Sequence, residues 1–377
     1  MALNTIPNKG LTSRGYPSDR ITTPIIINGD MKVAQRGTST SSVTGNGYFA
    51  CDRFKNIISG LGTWTVSQST DVPTGQGFSH SFKMDCTTAD ASPAAGDFNV
   101  LAQIVEGANI QSLKKGTSSA ESVTYSFWVK SNKTGTYICE IFDSNNTRQI
   151  SKSYTISSAN TWEKKIISFP GDTSGAIGTG ASDFLQFNWW LAVGSDRSSG
   201  TLSTTWTSTT NANRAVGQVN LADSTDNEWY ITGVQLEVGE FDSTTIPSFP
   251  FESFENNLRK CMRYFQIYMN AASANKDFLG GHIHDNDTFR MSLTFPVEFR
   301  TTPSLSSSSS GSADHWRVIT SSINTNYGSA ITFTGSTKSG QFTLVDTGGT
   351  DMSSHVDDPG YMQNNQSSCY LKMDAEL

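Results

Sequence analysis

The sequence predicts a mainly β protein. It has an N-terminal extended arm, a large antiparallel jelly-roll sandwich, a short linking helix and a smaller C-terminal β-sandwich. Three observations lead there. Apolar residues recur at every second position in run after run, the period of a strand with one face in a core. The polar residues are Ser, Thr, Asn and Gly far more than Lys and Glu, a composition that disfavours helix interiors. Only one stretch, near residue 255, carries apolar residues at helical spacing.

Size and charge set further bounds. A chain of 377 residues is long enough for two or more domains. Its 27 Lys+Arg against 34 Asp+Glu give a net charge of −7, and aromatic residues reach 11%. The aromatic content implies folding, because disordered chains are aromatic-poor. The acidic balance argues against nucleic acid as a partner, which calls for a basic face. No apolar run approaches the roughly 18 residues of a membrane-spanning helix, so membrane insertion is not expected. Met1-Ala2-Leu3-Asn4 does not open a basic-then-apolar export signal. Cys51, Cys86, Cys139, Cys261 and Cys369 are odd in number and scattered. They read as free, buried thiols of a chain folded in a reducing cytoplasm.

Residues 1–24 form the arm. Pro7, Gly10, Gly15, Pro17 and Pro24 punctuate a segment with few apolar residues, so it cannot bury itself. Docking on a neighbouring protein and simple fraying both fit. Residues 25–240 form the large sandwich. His80, Phe82, Met84 and Cys86 alternate, as do Val123, Tyr125, Phe127 and Val129. Leu185, Phe187, Trp189, Leu191 and Val193 share one phase. Tyr230, Thr232, Val234, Leu236 and Val238 close the series, and shorter strands are expected at 64–66, 137–142 and 162–169. Residues 241–265 contain a two-proline connector and then a helix. Phe251, Phe254, Leu258, Cys261 or Met262, and Phe265 would line one face over three to four turns, with Ser253 as N-cap. Residues 266–377 return to β. Met291, Leu293, Phe295, Val297 and Phe299 alternate, Ser306–Ser310 reads as a loop, and Phe342–Leu344 and Tyr370–Met373 read as strands.

Motifs for chemistry are sparse. There is no phosphate-binding loop, nucleophile elbow, zinc-protease helix or paired-cysteine metal site. His282 and His284 would share a face of a strand and could share a metal, with three copies on a trimer axis completing the shell. The alternative is a solvated turn. Asp172 with Asp183, and Asp357 with Asp358, are acidic pairs of the type that hydrolyses glycosides. They read better as turn residues. In Trp189-Trp190 the phase of Leu185, Phe187 and Leu191 places Trp189 in the core and Trp190 on the opposite face with Gln186 and Asn188. An exposed Trp190 flanked by those amides would suit a sugar ring, or would anchor a subunit interface.

The ordered pieces Asn28-Gly29-Asp30-Met31, Gln35-Arg36-Gly37 and Asp52-Arg53-Phe54 resemble the opening of a family of tailed-bacteriophage virion proteins. The resemblance continues through Tyr125–Ser131, Pro170-Gly171-Asp172, Ala192–Ser195, Trp229–Gly239, Phe251-Glu252 and Cys261–Phe265. It covers roughly residues 25–265 and departs at Phe54, where the family pattern has Trp. It implies a carbohydrate-binding-module-like jelly roll on the exterior of a phage particle, commonly as a homotrimer. Phe295-Pro296-Val297, with Arg300 and Pro303, resembles the small β domain that often follows. The resemblance also implies that a structural calcium is worth testing near Asp30 and Glu237; no other cofactor is expected.

Together these readings point to a non-enzymatic structural protein on the virion exterior. Residues 1–24 would attach it to capsid or tail proteins, and host surface glycans would be weak ligands. A capsid decoration or head fibre is expected first, and a tail fibre or receptor-binding protein for host adsorption is the alternative. A secreted carbohydrate-binding or glycoside-degrading protein stands further off.

Overall fold

A computed structural model describes residues 24–308, 315–327, 331–345, 353–367 and 369–377. The expected arm, apart from Pro24, lies outside the described residues. The chain divides into two compact units, Met1–Phe254 and Glu255–Leu377, and each is mainly antiparallel β.

The first unit contains β1 (Ser39–Val43), β2 (Phe54–Ser59), β3 (Thr63–Ser69), β4 (Ser81–Thr88), β5 (Phe98–Glu106) and β6 (Val123–Ser131). It continues with β7 (Gly135–Asp143), β8 (Arg148–Ile156), β9 (Glu163–Phe169), β10 (Phe184–Val193), β11 (Thr207–Ser208) and β12 (Glu228–Val238). They form two six-stranded sheets, ordered β1-β3-β4-β12-β6-β9 and β11-β8-β7-β10-β5-β2. We call these the first and second sheets. The core lies between them. Phe82, Met84 and Cys86 of β4, Tyr125, Phe127 and Val129 of β6, and Leu185, Phe187, Trp189 and Leu191 of β10 all point into it. This is the alternation read in the sequence. Trp189 sits at the centre, with ring centroids 6.3 Å from Phe54, 5.8 Å from Tyr125 and 5.9 Å from Phe127.

Two bulges alter the expected phase. In β10 the register slips between Trp190 and Ala192, so Ala192 enters the main core while Val193 packs on the opposite face. In β12 the register slips between Thr232 and Gln235, around Gly233. Trp229 and Ile231 face the core before the slip, and Val234 and Leu236 after it. Tyr230 and Thr232 are therefore on the outside, in contrast to the single phase expected from 230 to 238. An extra residue on one strand reverses which side the following side chains take. Gly233 has φ +62°, and a Cβ there would lie 2.6 Å from the Phe78 ring.

The helix α1 spans Phe254–Met262, shorter than expected. Asn257 and Cys261 form its buried line, while Phe251 and Phe254 are exposed. Of the expected stripe, Cys261 and Phe265 are buried and Leu258 is half-buried, while the helix's other buried residue is the polar Asn257.

The second unit contains β13 (Phe265–Asn270), β14 (Asp277–Ile283), β15 (Thr288–Thr294), β16 (Ser304–Ser307) and β17 (Trp316–Thr320). Then come β18 (Asn324–Tyr327), β19 (Ile331–Gly335), β20 (Ser339–Val345), β21 (Pro359–Asn364) and β22 (Tyr370–Asp374). A three-stranded sheet, β13-β22-β16, and a seven-stranded sheet, β18-β17-β21-β14-β15-β20-β19, make up the layers. Phe289, Met291, Trp316, Phe342, Leu344, Leu371 and Met373 fill the core. The strand expected through Phe299 stops at Thr294, before Pro296, although Phe295 and Phe299 stay buried with ring centroids 4.9 Å apart. The serine loop is strand as far as Ser307, and part of it lies outside the described residues.

Gly233→Ala should cost about 1–3 kcal/mol, from forcing a side chain into left-handed backbone beside Phe78. A lowered urea midpoint with an unchanged slope is the expected reading.

Candidate functional site

The outer face of the second sheet carries the residues read in the sequence as a sugar platform. Asn188 and Trp190 of β10 lie beside Glu140 of β7, and Gln186 faces Phe142. The expected exposure of Trp190 is corrected: only 1% of it is accessible. The strand was read without its cover. Residues 195–218 fold back across this face as a strap. Trp190 packs there with Val100, Ala102, Ile138 and Ala215 in a second, smaller apolar cluster.

The strap is fixed by charge. Glu140 is fully buried and accepts Arg214 Nε at 2.7 Å, Arg214 Nη2 at 2.9 Å, Asn188 Nδ2 at 2.9 Å and Trp190 Nε1 at 3.2 Å. A buried carboxylate is tolerated when several donors, one of them a bidentate guanidinium, replace its water. The Arg214 guanidinium also lies over the Phe142 ring, 4.0 Å from its centroid. Further bonds tie the strap to β8, from Ser151 N to Ser203 O at 2.7 Å and from Ser151 Oγ to Arg214 O at 2.7 Å.

The acidic pairs do not converge into a hydrolytic centre. Asp172 belongs to a buried clasp. Arg148 donates to it through Nε and Nη2, both at 2.6 Å, and Lys115 Nζ lies 3.0 Å away. Lys115 also reaches Asp143 at 2.5 Å and Gly175 O at 2.6 Å. Burial pushes the Asp172 carboxyl up, but the bonds from Arg148 and Lys115 outweigh it and hold the group below its usual range. Asp183 instead accepts from Gly180 N at 2.8 Å, closing its own turn. Asp358 pairs with His355 at 3.0 Å, and Asp357 takes a positive φ.

His282 and His284 do lie close, with ring centroids 6.2 Å apart. His282 is opposite Arg290 on β15, a cationic neighbour unfavourable to a metal. Asp30 is buried and carries Lys32 Nζ at 2.9 Å, and Glu237 is on β12. Among the described residues no three His, Cys, Asp or Glu side chains are grouped as metal ligands.

The outer face of the first sheet was not singled out in the sequence. Register places Lys83, Tyr230 and Lys130 abreast, with Trp162 just before β9, and places Thr232, Trp128 and Lys164 in the next row. Trp128 and Trp162 are half-buried. The Trp162 indole donates to Asp71 Oδ1 at 2.9 Å and stands edge-on to Tyr230, centroids 6.1 Å apart. Lys130 Nζ lies 4.3 Å from the Tyr230 ring centre and pairs with Asp71, while Lys83 pairs with Glu228 at 2.5 Å. Burial alone would raise Asp71 and Glu228. Hydrogen bonds from Lys130 and Trp162 to the former, and from Lys83 and Tyr230 to the latter, hold both below the usual carboxylate range. Burial, then the bond to Glu228, pushes the Tyr230 phenol up to about 12. The Trp128 indole makes no hydrogen bond among the described residues, so its N–H and part of its face are available to a ligand. The signal for this face was the Gly233 bulge, which reverses Tyr230, and the unexplained aromatic pair Trp128 and Trp162.

No family model matches the chain, and no curated protein matches it. Among solved structures it is similar to the enzymatically active domain of bacteriophage CBA120 tailspike protein 4, at 15% identity and TM-score 0.30. That match covers 57% of this chain and 21% of that one. It is similar to the family 11 carbohydrate-binding module of Clostridium thermocellum in complex with a β-1,3-1,4-mixed-linked tetrasaccharide, at 11% identity and TM-score 0.25, covering 54% and 98%. A third is TmCBM61 in complex with β-1,4-galactotriose, at 10% identity and TM-score 0.24, covering 57% and 97%.

Trp190→Ala should behave as a core truncation and cost about 3–5 kcal/mol, whereas Trp162→Ala should stay within about 1 kcal/mol; urea unfolding of the two variants separates them. The clasp fixes a pH dependence. Asp172 is lowered in the fold, so its stabilisation is complete above about pH 4 and disappears as pH falls through the folded value. Asp172→Asn should lower stability at pH 7 and flatten the acid limb of a stability–pH curve.

Proposed function

We propose that the protein is a non-enzymatic, glycan-adhesive structural protein of a tailed-phage exterior, and that the outer face of the first sheet is its contact surface. One observation carries the adhesive part of this reading. Trp128 and Trp162 present half-buried aromatic surface on the outer face of the first sheet, backed by the buried Tyr230 ring and by lysines and carboxylates fixed in mutual pairs. Aromatic rings offer an apolar surface to the C–H face of a pyranose, and pre-positioned polar groups meet its hydroxyls at little entropic cost. On the second sheet's outer face the strap covers Trp190.

The absence of turnover is proposed on the state of the carboxylates. A glycosidase needs one carboxyl kept protonated near neutral pH. Asp71, Asp172 and Glu228 are each held by cations below their usual range, which suits fixed anions and not proton donors. The virion setting, the attachment arm at 1–24 and the homotrimer rest on the sequence resemblance. A trimer would present three such faces, so that weak single contacts add up. Capsid decoration and tail-fibre adsorption remain the two versions of this reading.

The test is binding of the purified full chain to host surface polysaccharide. Trp128→Ala with Trp162→Ala should weaken it by about tenfold or more, the equivalent of roughly 1.4 kcal/mol, with folding intact. An unchanged affinity would remove this face as the contact surface. Release of new reducing ends from the polysaccharide by the wild-type protein would overturn the non-enzymatic part.

A further inference from the structure

The second unit has a concavity of its own. An open cleft of about 520 Å³ is lined by Ser292, Leu293 and Thr294 of β15, by Thr334, Gly335 and Ser336, and by Ser339, Gly340 and Gln341 of β20. The volume falls within the range of small-molecule sites, about 300–1,000 Å³. Register explains the lining. Ser292 pairs with Gln341, which pairs with Thr334, and Thr294 pairs with Ser339. Opposed residues of an antiparallel pair share a face. The neighbours Phe289, Met291, Phe342 and Leu344 take the other face and are buried in the core. Hydroxyls and one amide are thereby set side by side on three adjacent strands.

Two properties define what would bind. The side chains of Ser292, Thr294, Thr334 and Gln341 make no hydrogen bond among the described residues, so their capacity is unspent. Each hydroxyl both donates and accepts, and the amide does both at separate atoms. No lining residue is charged. The charges of the adjoining turn, Lys338 and Glu298, are directed at one another at 3.8 Å, and Thr337 Oγ1 donates to Glu298 at 2.9 Å.

We propose that this cleft is a second binding site, for a neutral polyhydroxylated ligand of the size of a hexose. Mixed donor–acceptor groups without a charge match a neutral ring of hydroxyls, and they give an anionic sugar no compensating cation. The site is independent of the aromatic face on the first unit and uses none of its residues.

Saturation-transfer NMR on the full chain, with methyl β-D-galactopyranoside and methyl α-D-glucopyranoside at millimolar concentration and sodium glucuronate as the charged control, tests it. At least one neutral probe should show transfer, and glucuronate should not. The signal should persist in the Trp128→Ala, Trp162→Ala protein. It should fall by about tenfold in Thr334→Val, Gln341→Ala, which keeps strand-compatible residues and removes a hydroxyl and an amide. Absence of transfer from both neutral probes overturns the site, as does transfer to glucuronate alone. A neutral-probe signal lost in the tryptophan variant and kept in the Thr334, Gln341 variant also overturns it and assigns binding to the aromatic face. A third variant, Ser292→Ala, guards against misfolding of the double variant and should weaken the same signal.

Discussion

The placement of Trp189 between the two sheets governs the rest of the first unit. Its ring fills the centre of the interior and touches Phe54 of β2 and Tyr125 and Phe127 of β6. Once Trp189 points inward, the alternation of a strand sends Trp190 outward. A second large indole on an outer face needs a cover or a partner. Here the chain supplies the cover itself, through residues 195–218, and secures it by setting Arg214 on the buried Glu140. The second sheet thus carries a cover over Trp190, while the first keeps the half-buried Trp128 and Trp162 on its outer face. That asymmetry, more than any single motif, decides where a ligand can be met.

The outer face of the first sheet is braced by its charges. Lys83, Lys130, Asp71 and Glu228 are locked in pairs and lean on Tyr230 and Trp162. Isolated surface ion pairs contribute little to stability. As a lattice around aromatic rings, however, they fix the rotamers of the groups that would touch a sugar. Ordering paid for during folding is then not paid again on binding.

Much of this architecture was legible in the sequence, and the failures have identifiable causes. The strands around Phe82, Phe127 and Trp189 declare themselves because one face is apolar and the other polar. The strand at Phe98–Glu106 was harder to read, since Val100, Ala102 and Ile104 are buried along with Leu101 and Val105 and alternation vanishes. The segment 230–238 has a visible period but hides a bulge, which periodicity alone does not locate; only the glycine hints at it. Trp190 was given its correct face, yet its burial depends on the strap at 195–218, which has few apolar residues of its own. Pairings across long sequence separations, such as Lys115 with Asp143 and Asp172, leave no local trace. The cleft in the second unit was equally silent, because Ser, Thr and Gln on an exposed strand face are what any such strand carries.

The clasp of Lys115, Arg148, Asp143 and Asp172 joins three separate stretches of chain with two positive and two negative groups. Its members are largely withdrawn from solvent, where mobile ions penetrate poorly and screening is weak. The sheet edge that it holds is accordingly insulated from ionic strength: seawater, brine and dilute medium present the same fastening.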